Sequence, residues 1–139
     1  MTTTPPLRIC VLPGDGIGVE VIDATVPLLE KLAHGAPFAF AFSRHPAGAL
    51  HFRATGDALP PATLEAARDA DAILFGAMGW PEIRYGDGTE IAPQLDLRVA
   101  LELYAGVRPA RAIPGLRLPL ADPRARDIDL VVVRESTEG

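Results

Sequence analysis

The chain has 139 residues, of which 48% are hydrophobic, and its formal net charge is −5. This length and apolar content exclude a disordered chain and are sufficient for a packed core. The acidic balance, 18 Asp and Glu against 13 Lys and Arg, argues against a nucleic-acid or anionic-membrane partner. No apolar run reaches the ~18 residues that span a bilayer, and Met1–Pro6 lacks the features of a signal peptide, so we expect a cytoplasmic location.

A short apolar run followed by a glycine-rich turn begins the predicted fold. Leu7–Leu12 predicts a buried strand of a parallel sheet, and apolar residues at helical spacing from Ile17 until Gly35 predict a helix. Between them, Gly14–Val21 has the sequence GDGIGVEV. The G-x-G-x-x-G fingerprint of dinucleotide-binding folds is absent, because Val19 stands at its third glycine. Backbone geometry and phosphate binding both remain possible reasons for these glycines.

Further strands and helices follow in an α/β pattern. Phe38–Ser43 predicts a second strand, Ala47–Ala54 a helical turn, and Ala62–Ala70 a helix. Ala72–Phe75 predicts a third buried strand. This strand runs into Gly76–Pro81, a stretch of mostly small residues that allows a ligand or another backbone to approach the strand's carboxyl end.

Isolated cysteine and histidine residues give no indication of a metal site. Cys10 is the only cysteine and lies in the first predicted strand, so we expect it to fill space in the core. His45 and His51 have no second ligand at metal-binding spacing, and we expect surface or hydrogen-bonded positions for both.

Arginines are concentrated in and after the segment LDLRVALELYAGVRPAR. A long irregular loop is predicted over Trp80–Ala92, and then a helix from about Pro93 to Tyr104, with Arg98 on the flank of its buried side. Gly106 breaks the helical pattern, and Arg108 begins an extended segment. Each arginine could bind a carboxylate or phosphate through paired hydrogen bonds, or could form a structural salt bridge.

A final strand is predicted near the end of the sequence, over Ile128–Val133. Arg134 follows it directly. An arginine at the carboxyl end of a parallel strand is well placed for a ligand in the crevice of a parallel sheet.

Four stretches together resemble the amino-terminal part of the β-decarboxylating dehydrogenases, the family of isopropylmalate, isocitrate, homoisocitrate, tartrate and D-malate dehydrogenases. They are LPGDGIGVEV, then ATGDALP with ADAILFGAMGWP, then LDLRVALELYAGVRP, and finally DIDLVVVRESTEG, in the family's order. The resemblance implies an α/β fold with a parallel-rich sheet and flanking helices. It also implies that residues 1–104 are the first half of a large, cofactor-binding domain, and that residues 105–139 begin a small domain for substrate and dimer contacts.

The resemblance implies a substrate site made of arginines. Arg98, Arg108 and Arg134 match the family's substrate-binding arginines, which hold the carboxylates of a 2-hydroxy diacid. Gln94 is implied as a further substrate-binding residue. It stands where the isopropylmalate branch has leucine, which contacts the branched apolar group of the substrate, and the isocitrate branch has asparagine, so its polarity weakens an isopropylmalate assignment. The stretches GAMGWP and RESTEG are closer to the tartrate and D-malate branch.

Cofactor contacts are implied in the same way. Ile17 would lie near the adenine, and the loop with Gly79, Trp80 and Ile91 would border the nicotinamide and its ribose. The implied reaction is the NAD-dependent oxidation and decarboxylation of the diacid, with Mg²⁺ or Mn²⁺ and with NADP as the alternative to NAD.

The family's catalytic tyrosine and lysine and its metal-binding aspartates have no counterpart in this sequence, so no catalytic or metal residue is assigned. We therefore expect a truncated portion of a homodimeric enzyme, inactive alone. Two alternatives remain: a non-catalytic domain that binds anions or a partner, and a piece that does not fold by itself because its strands lack sheet partners.

Overall fold

The computed structural model describes residues 5–135, which form two compact units that divide between Leu97 and Arg98. In chain order the elements are β1 (Leu7–Leu12), α1 (Ile17–Ala33), β2 (Phe40–Arg44), α2 (Ala49–Thr55), α3 (Pro61–Asp69), β3 (Ala72–Phe75), α4 (Pro93–Ala100), β4 (Ala105–Arg111), a 3₁₀-helix (Pro123–Asp127) and β5 (Asp129–Glu135). Within residues 5–135, none of the helices has the length and apolar character that crossing a lipid bilayer requires.

The first unit contains a parallel sheet in which β1 is the central strand. β1 pairs with β2 on one side and with β3 on the other. The second half of β1 is completely buried, since it has a strand on both sides and α1 packs on it through Ile22 and Val26. Cys10 is buried there as predicted, and burial raises the pKa of its thiol. The predicted α/β fold with a parallel sheet is confirmed.

Strand β3 has the predicted bounds but not the predicted burial. Ala72 and Phe75 at its two ends are exposed. Among the described residues β3 pairs with β1 alone, so one of its edges has no strand beside it.

Glycines allow the turn after β1 to pack directly against the segment after β3. A Cβ atom on Gly14 or on Gly18 would overlap the carbonyl oxygen of Ala77. A Cβ atom on Gly76 would overlap the carbonyl oxygen of Pro13. Close backbone packing therefore accounts for these glycines, which is the first of the two reasons that the sequence left open.

The stretch predicted as a long irregular loop, Trp80–Ala92, is folded onto the first unit. Arg84 and Glu90 form an isolated antiparallel bridge. Ile83 and Ile91 are 9% and 3% exposed and pack in an apolar cluster with residues of α2. The predicted irregular loop is confirmed, since no helix or strand lies within residues 80–92. Its packing on α2 was not predicted, because one bridge is too short to produce an alternating pattern in the sequence.

Helix α4 is shorter than predicted, since it ends at Ala100 instead of continuing to Tyr104. The N–H of Leu103 donates to the carbonyl of Arg98 at 2.8 Å, five residues earlier, which is typical of a Schellman helix end. The left-handed position of this motif holds Glu102, with φ of 53°. Glycine is the usual residue at such a position, and its absence hides the helix end in the sequence.

The second unit contains an antiparallel ribbon of β4 and β5. The prediction that Arg134 ends a parallel strand was wrong, because Arg134 lies inside β5 opposite Gly106. A parallel pair requires a long crossover, usually an α-helix, whereas the connection over residues 112–128 contains only the 3₁₀-helix.

The glycine packing leads to a stability prediction. Gly76→Ala should lower the free energy of unfolding by about 1–3 kcal/mol, because the added methyl group must displace the Pro13 backbone. Gly86→Ala is the matched control, since a Cβ atom there meets nothing within 4 Å. Urea unfolding, with the labelling rate of the buried Cys10 thiol as a second readout, measures both variants. Equal unfolding midpoints for the two variants would contradict the packing argument.

Candidate functional site

The buried carboxylate of Asp15 connects three segments of the first unit. Its side chain accepts backbone N–H groups from Ala49 and Leu50 at the start of α2, each at 2.8 Å, and from Gly79 after β3 at 2.9 Å. Asp15 is only 3% exposed, so these bonds replace the water that a free carboxylate would bind. No role for Asp15 is predicted from the sequence. The available signal was an acidic residue between two glycines at the end of a buried strand.

A cavity of about 260 Å³ lies beside Gly79, and we call it the Trp80 pocket. It brings together Gly79, Trp80, Ile91 and Gln94, which were predicted from the sequence as site residues. Its volume is just below the ~300 Å³ at which ordinary ligand pockets begin, so it suits a single ring rather than a whole dinucleotide. The complete lining is Met78, Gly79, Trp80, Pro81, Arg84, Glu90, Ile91, Ala92 and Gln94.

Gln94, one of the lining residues, carries an unusual polar atom. Its side-chain oxygen Oε1 is buried and has no hydrogen-bond partner among the described residues. A buried acceptor in this state costs about 1–3 kcal/mol. The volume of the pocket and the Trp80 side chain in its lining fit a ligand that presents a flat ring.

Trp80 and Ile91 form apolar parts of the wall. Trp80 is 39% exposed, and its ring lies against Gly16, where an added Cβ atom would be 3.3 Å from the ring atom Cζ3. Ile91 belongs mainly to the core. A cofactor contact of either residue stays a prediction.

Arg84 and Glu90 form a charged rim that is not predicted from the sequence. The Arg84 guanidinium donates to the Glu90 carboxylate at 3.1 Å and to the carbonyl of Gly88 at 3.3 Å. The chain reverses direction between Arg84 and Glu90, and the Asp87-Gly88 dipeptide between them is a common turn signal. This dipeptide could have indicated the reversal that brings Arg84 and Glu90 together. The rim joins the two sides of the folded Trp80–Ala92 segment.

Tyr85 anchors the same segment to α2. Its ring makes an edge contact with Phe52, with 5.0 Å between the ring centroids. Burial, followed by the negative charges of Asp96 and Asp57, raises the pKa of the Tyr85 phenol. The phenol is therefore neutral at physiological pH and acts as a packing group.

Ile17 lies at the start of α1, outside the lining of the Trp80 pocket. It is 61% exposed although it is a large apolar residue. It directly follows Gly16, on which the Trp80 ring lies. Its predicted contact with an adenine stays a prediction.

Two of the predicted substrate-binding arginines share one face of the ribbon in the second unit. Arg108 pairs with Val132, and Gly106 pairs with Arg134, so Arg108 and Arg134 occupy diagonal positions. Diagonal residues on one face of an antiparallel pair are about 7–8 Å apart. We call this surface the arginine face.

The arginines differ in their ion pairs. None of the ion pairs within residues 5–135 includes Arg98 or Arg108. Arg111, by contrast, lies on the opposite face of the ribbon and pairs with Asp129 at 3.6 Å. Arg98, in the last turn of α4, is exposed. The salt-bridge alternative thus finds no support at Arg98 or Arg108 in the described part of the chain.

The described residues do not fit a divalent metal site. No group of three or more His, Cys, Asp or Glu side chains in residues 5–135 is arranged to hold a metal ion. The buried carboxylate of Asp15 is already occupied by backbone N–H groups.

The fold and these sites define an α/β protein with a ring-sized cavity in one unit and an arginine-bearing ribbon in the other. Such features suit small anionic ligands. The chain belongs to the isocitrate/isopropylmalate dehydrogenase family, whose sequence model matches residues 8–139. The resemblance noted in the sequence is therefore confirmed.

Similar proteins agree with this family assignment. The chain is 41% identical over 136 residues to 3-isopropylmalate dehydrogenase of Gloeobacter violaceus, a match that covers 95% of this chain and 38% of that protein. It is 43% identical over 132 residues to 3-isopropylmalate/3-methylmalate dehydrogenase of Methanocaldococcus jannaschii, covering 95% and 34%. The crystal structure of a β-decarboxylating dehydrogenase from Thermococcus kodakarensis matches with a TM-score of 0.69 and 35% identity, over 96% of this chain and 35% of that one. The chain thus spans a little over a third of the length of these relatives.

The buried Oε1 atom of Gln94, which has no hydrogen-bond partner among the described residues, leads to a second stability prediction. Gln94→Leu should raise the free energy of unfolding by about 1 kcal/mol, because it removes a buried acceptor without a partner. Gln94→Glu keeps the length but places a charge at the same position, and it should be less stable than the parent protein. Chemical denaturation measures both. A Leu variant less stable than the parent protein would show that the Gln94 amide is satisfied.

Proposed function

We propose that the chain is the diacid-recognising part of a dehydrogenase that oxidises and decarboxylates a 2-hydroxy diacid such as isopropylmalate, tartrate or D-malate. NAD is the proposed oxidant, with NADP as the alternative. Family membership supports the reaction class. The observation that carries the substrate class is the arginine face, where Arg108 and Arg134 lie on the same side of one ribbon.

The chemistry of guanidinium groups explains why this face suits a diacid. Each guanidinium can hold one carboxylate through two parallel N–H···O bonds. A pair of them therefore distinguishes an acid with two carboxylates from one with a single carboxylate. Hydrogen bonds to charged groups contribute about 1.5–3 kcal/mol each, which is enough for clear discrimination. Arg98, which has no ion pair among residues 5–135, is the third arginine proposed for the substrate.

The Trp80 pocket is the proposed place of the nicotinamide end of the cofactor. Trp80 would cover the ring and exclude water, and Gln94, which lines the same pocket, is proposed to contact the substrate beside it. Gly79 and Ile91 would border the ribose, and Ile17 would contact the adenine. When bound, the nicotinamide supplies the chemistry of hydride acceptance from the carbon that carries the hydroxyl group.

Several further properties belong to the proposal. Mg²⁺ or Mn²⁺ is proposed as a cofactor of the complete enzyme, but no residue of this chain is assigned to it because the described residues do not fit. No catalytic residue is assigned either. Residues 1–104 are proposed as the first half of the cofactor-binding domain and residues 105–139 as the start of the small domain. The complete enzyme is proposed to be a cytoplasmic homodimer.

An activity assay tests the reaction class. The complete protein that contains this chain, and the 139-residue chain alone, are each incubated with Mg²⁺ and NAD or NADP, against D-malate, tartrate, isopropylmalate and isocitrate. The complete protein should reduce the cofactor with at least one of the first three acids, and the chain alone should be inactive. Cofactor reduction with isocitrate alone, or with no acid, would contradict the proposal.

A substitution in the arginine face tests the substrate site. Arg108→Ala in the complete protein should lower kcat/KM for the diacid about 10- to 150-fold, the equivalent of about 1.5–3 kcal/mol. Arg111→Ala is the matched control, since it removes a guanidinium from the same strand but from the opposite face. Steady-state kinetics compares the two. A similar loss in both variants, or unchanged kinetics for Arg108→Ala, would remove Arg108 from the site.

A further inference from the structure

We propose that Asp15 is a positioning residue for the Trp80 pocket: its carboxylate holds the backbone before Trp80 and so determines where the indole ring lies. The consequence for the nicotinamide rests on the proposed function, whereas the positioning of Trp80 does not.

Asp15 holds the segment before Trp80 at two points. The backbone N–H of Asp15 donates to the carbonyl of Ala77 at 2.8 Å, and the carboxylate oxygen Oδ2 accepts the N–H of Gly79 at 2.9 Å. Gly79 immediately precedes Trp80 and has a φ of 119°, a conformation that needs glycine. The path of the chain into Trp80 is therefore fixed by one residue on the opposite turn.

The ring of Trp80 packs against the same turn that holds the backbone before it. It lies against Gly16, the residue after Asp15. After Trp80, its carbonyl accepts the N–H of Ile83 at 2.9 Å, which returns the chain to the core. The turn at residues 15–16 thus holds both the backbone that leads into Trp80 and the ring of Trp80.

A carboxylate is the required group at this position. Three N–H donors converge on Asp15, and its two oxygens are both used. An asparagine has the same size but only one acceptor oxygen, so its NH₂ group would face an N–H donor. Gly48 leaves the space that this carboxylate fills, because a Cβ atom there would be 2.5 Å from the Oδ2 atom. Asp15→Asn therefore changes the hydrogen bonds while keeping the volume.

The emission of Trp80 provides a direct readout, since it is the only tryptophan in the chain. Under conditions where far-UV circular dichroism shows a folded chain, Asp15→Asn should shift the emission to longer wavelength and increase quenching by acrylamide. Asp71→Asn is the control, because Asp71 accepts the N–H of Arg8 at 2.7 Å beside the opposite end of β1. An unchanged emission in Asp15→Asn, or an equal shift in Asp71→Asn, would overturn the proposal.

A measurement on the unsubstituted chain applies even where Asp15→Asn fails to fold. Gly79 lies in an exposed, irregular segment, yet its N–H is bonded to a buried carboxylate. Its amide can exchange with deuterium only when a local opening breaks this hydrogen bond. We therefore expect exchange roughly 100-fold or more slower than that of a loop amide without a hydrogen bond. Exchange at the rate of an unprotected amide would overturn the positioning role.

Kinetics of the complete protein test the link to the cofactor. Asp15→Asn should raise KM for the dinucleotide roughly tenfold or more while changing kcat less, because a displaced wall weakens binding of the ring. An unchanged KM together with a shifted Trp80 emission would overturn the link to the cofactor. If the unsubstituted protein reduces neither NAD nor NADP, the proposed function fails, and the emission and exchange results still decide the positioning role.

Discussion

The hydrogen bonds of the buried Asp15 carboxylate are the interaction on which the first unit depends. A carboxylate removed from water is costly unless its oxygens find donors, and here three backbone N–H groups supply them. Those donors come from the start of α2 and from the segment after β3, so one side chain fixes the relation of both to the turn after β1. The glycines of this turn allow the backbones to approach closely enough. Stability and the shape of the Trp80 pocket thus share one cause.

The two units carry different recognition chemistry. The first unit offers a ring-sized cavity with Trp80 in its lining, which suits a flat ring. The second offers two guanidinium groups on one face of a ribbon, which suit carboxylates. This chain, a member of the isocitrate/isopropylmalate dehydrogenase family, thus carries groups whose chemistry suits the two proposed ligands, while the described residues hold no metal site. Each binding proposal can succeed or fail independently of the other.

The sequence predicts features that depend on local patterns. The bounds of β1 and β3 agree with prediction, since each is a short apolar run that ends at proline or glycine. The end of α4 was hidden because Glu102 takes a conformation that glycine usually adopts. The position of Arg134 in an antiparallel ribbon was missed because strand direction depends on the connection, not on the strand's own residues. Asp15 was missed because its partners lie 34 to 64 positions away along the chain.

The central claim, that this chain recognises a diacid, is tested most directly by comparing two ligands that differ by one carboxylate. Isothermal titration calorimetry of the complete protein measures the affinities of D-malate and of D-lactate, which carries the same 2-hydroxy acid group but no second carboxylate. One lost charge-assisted contact of about 1.5 kcal/mol or more predicts that D-malate binds at least about tenfold more tightly. Equal affinities for the two acids would contradict the account.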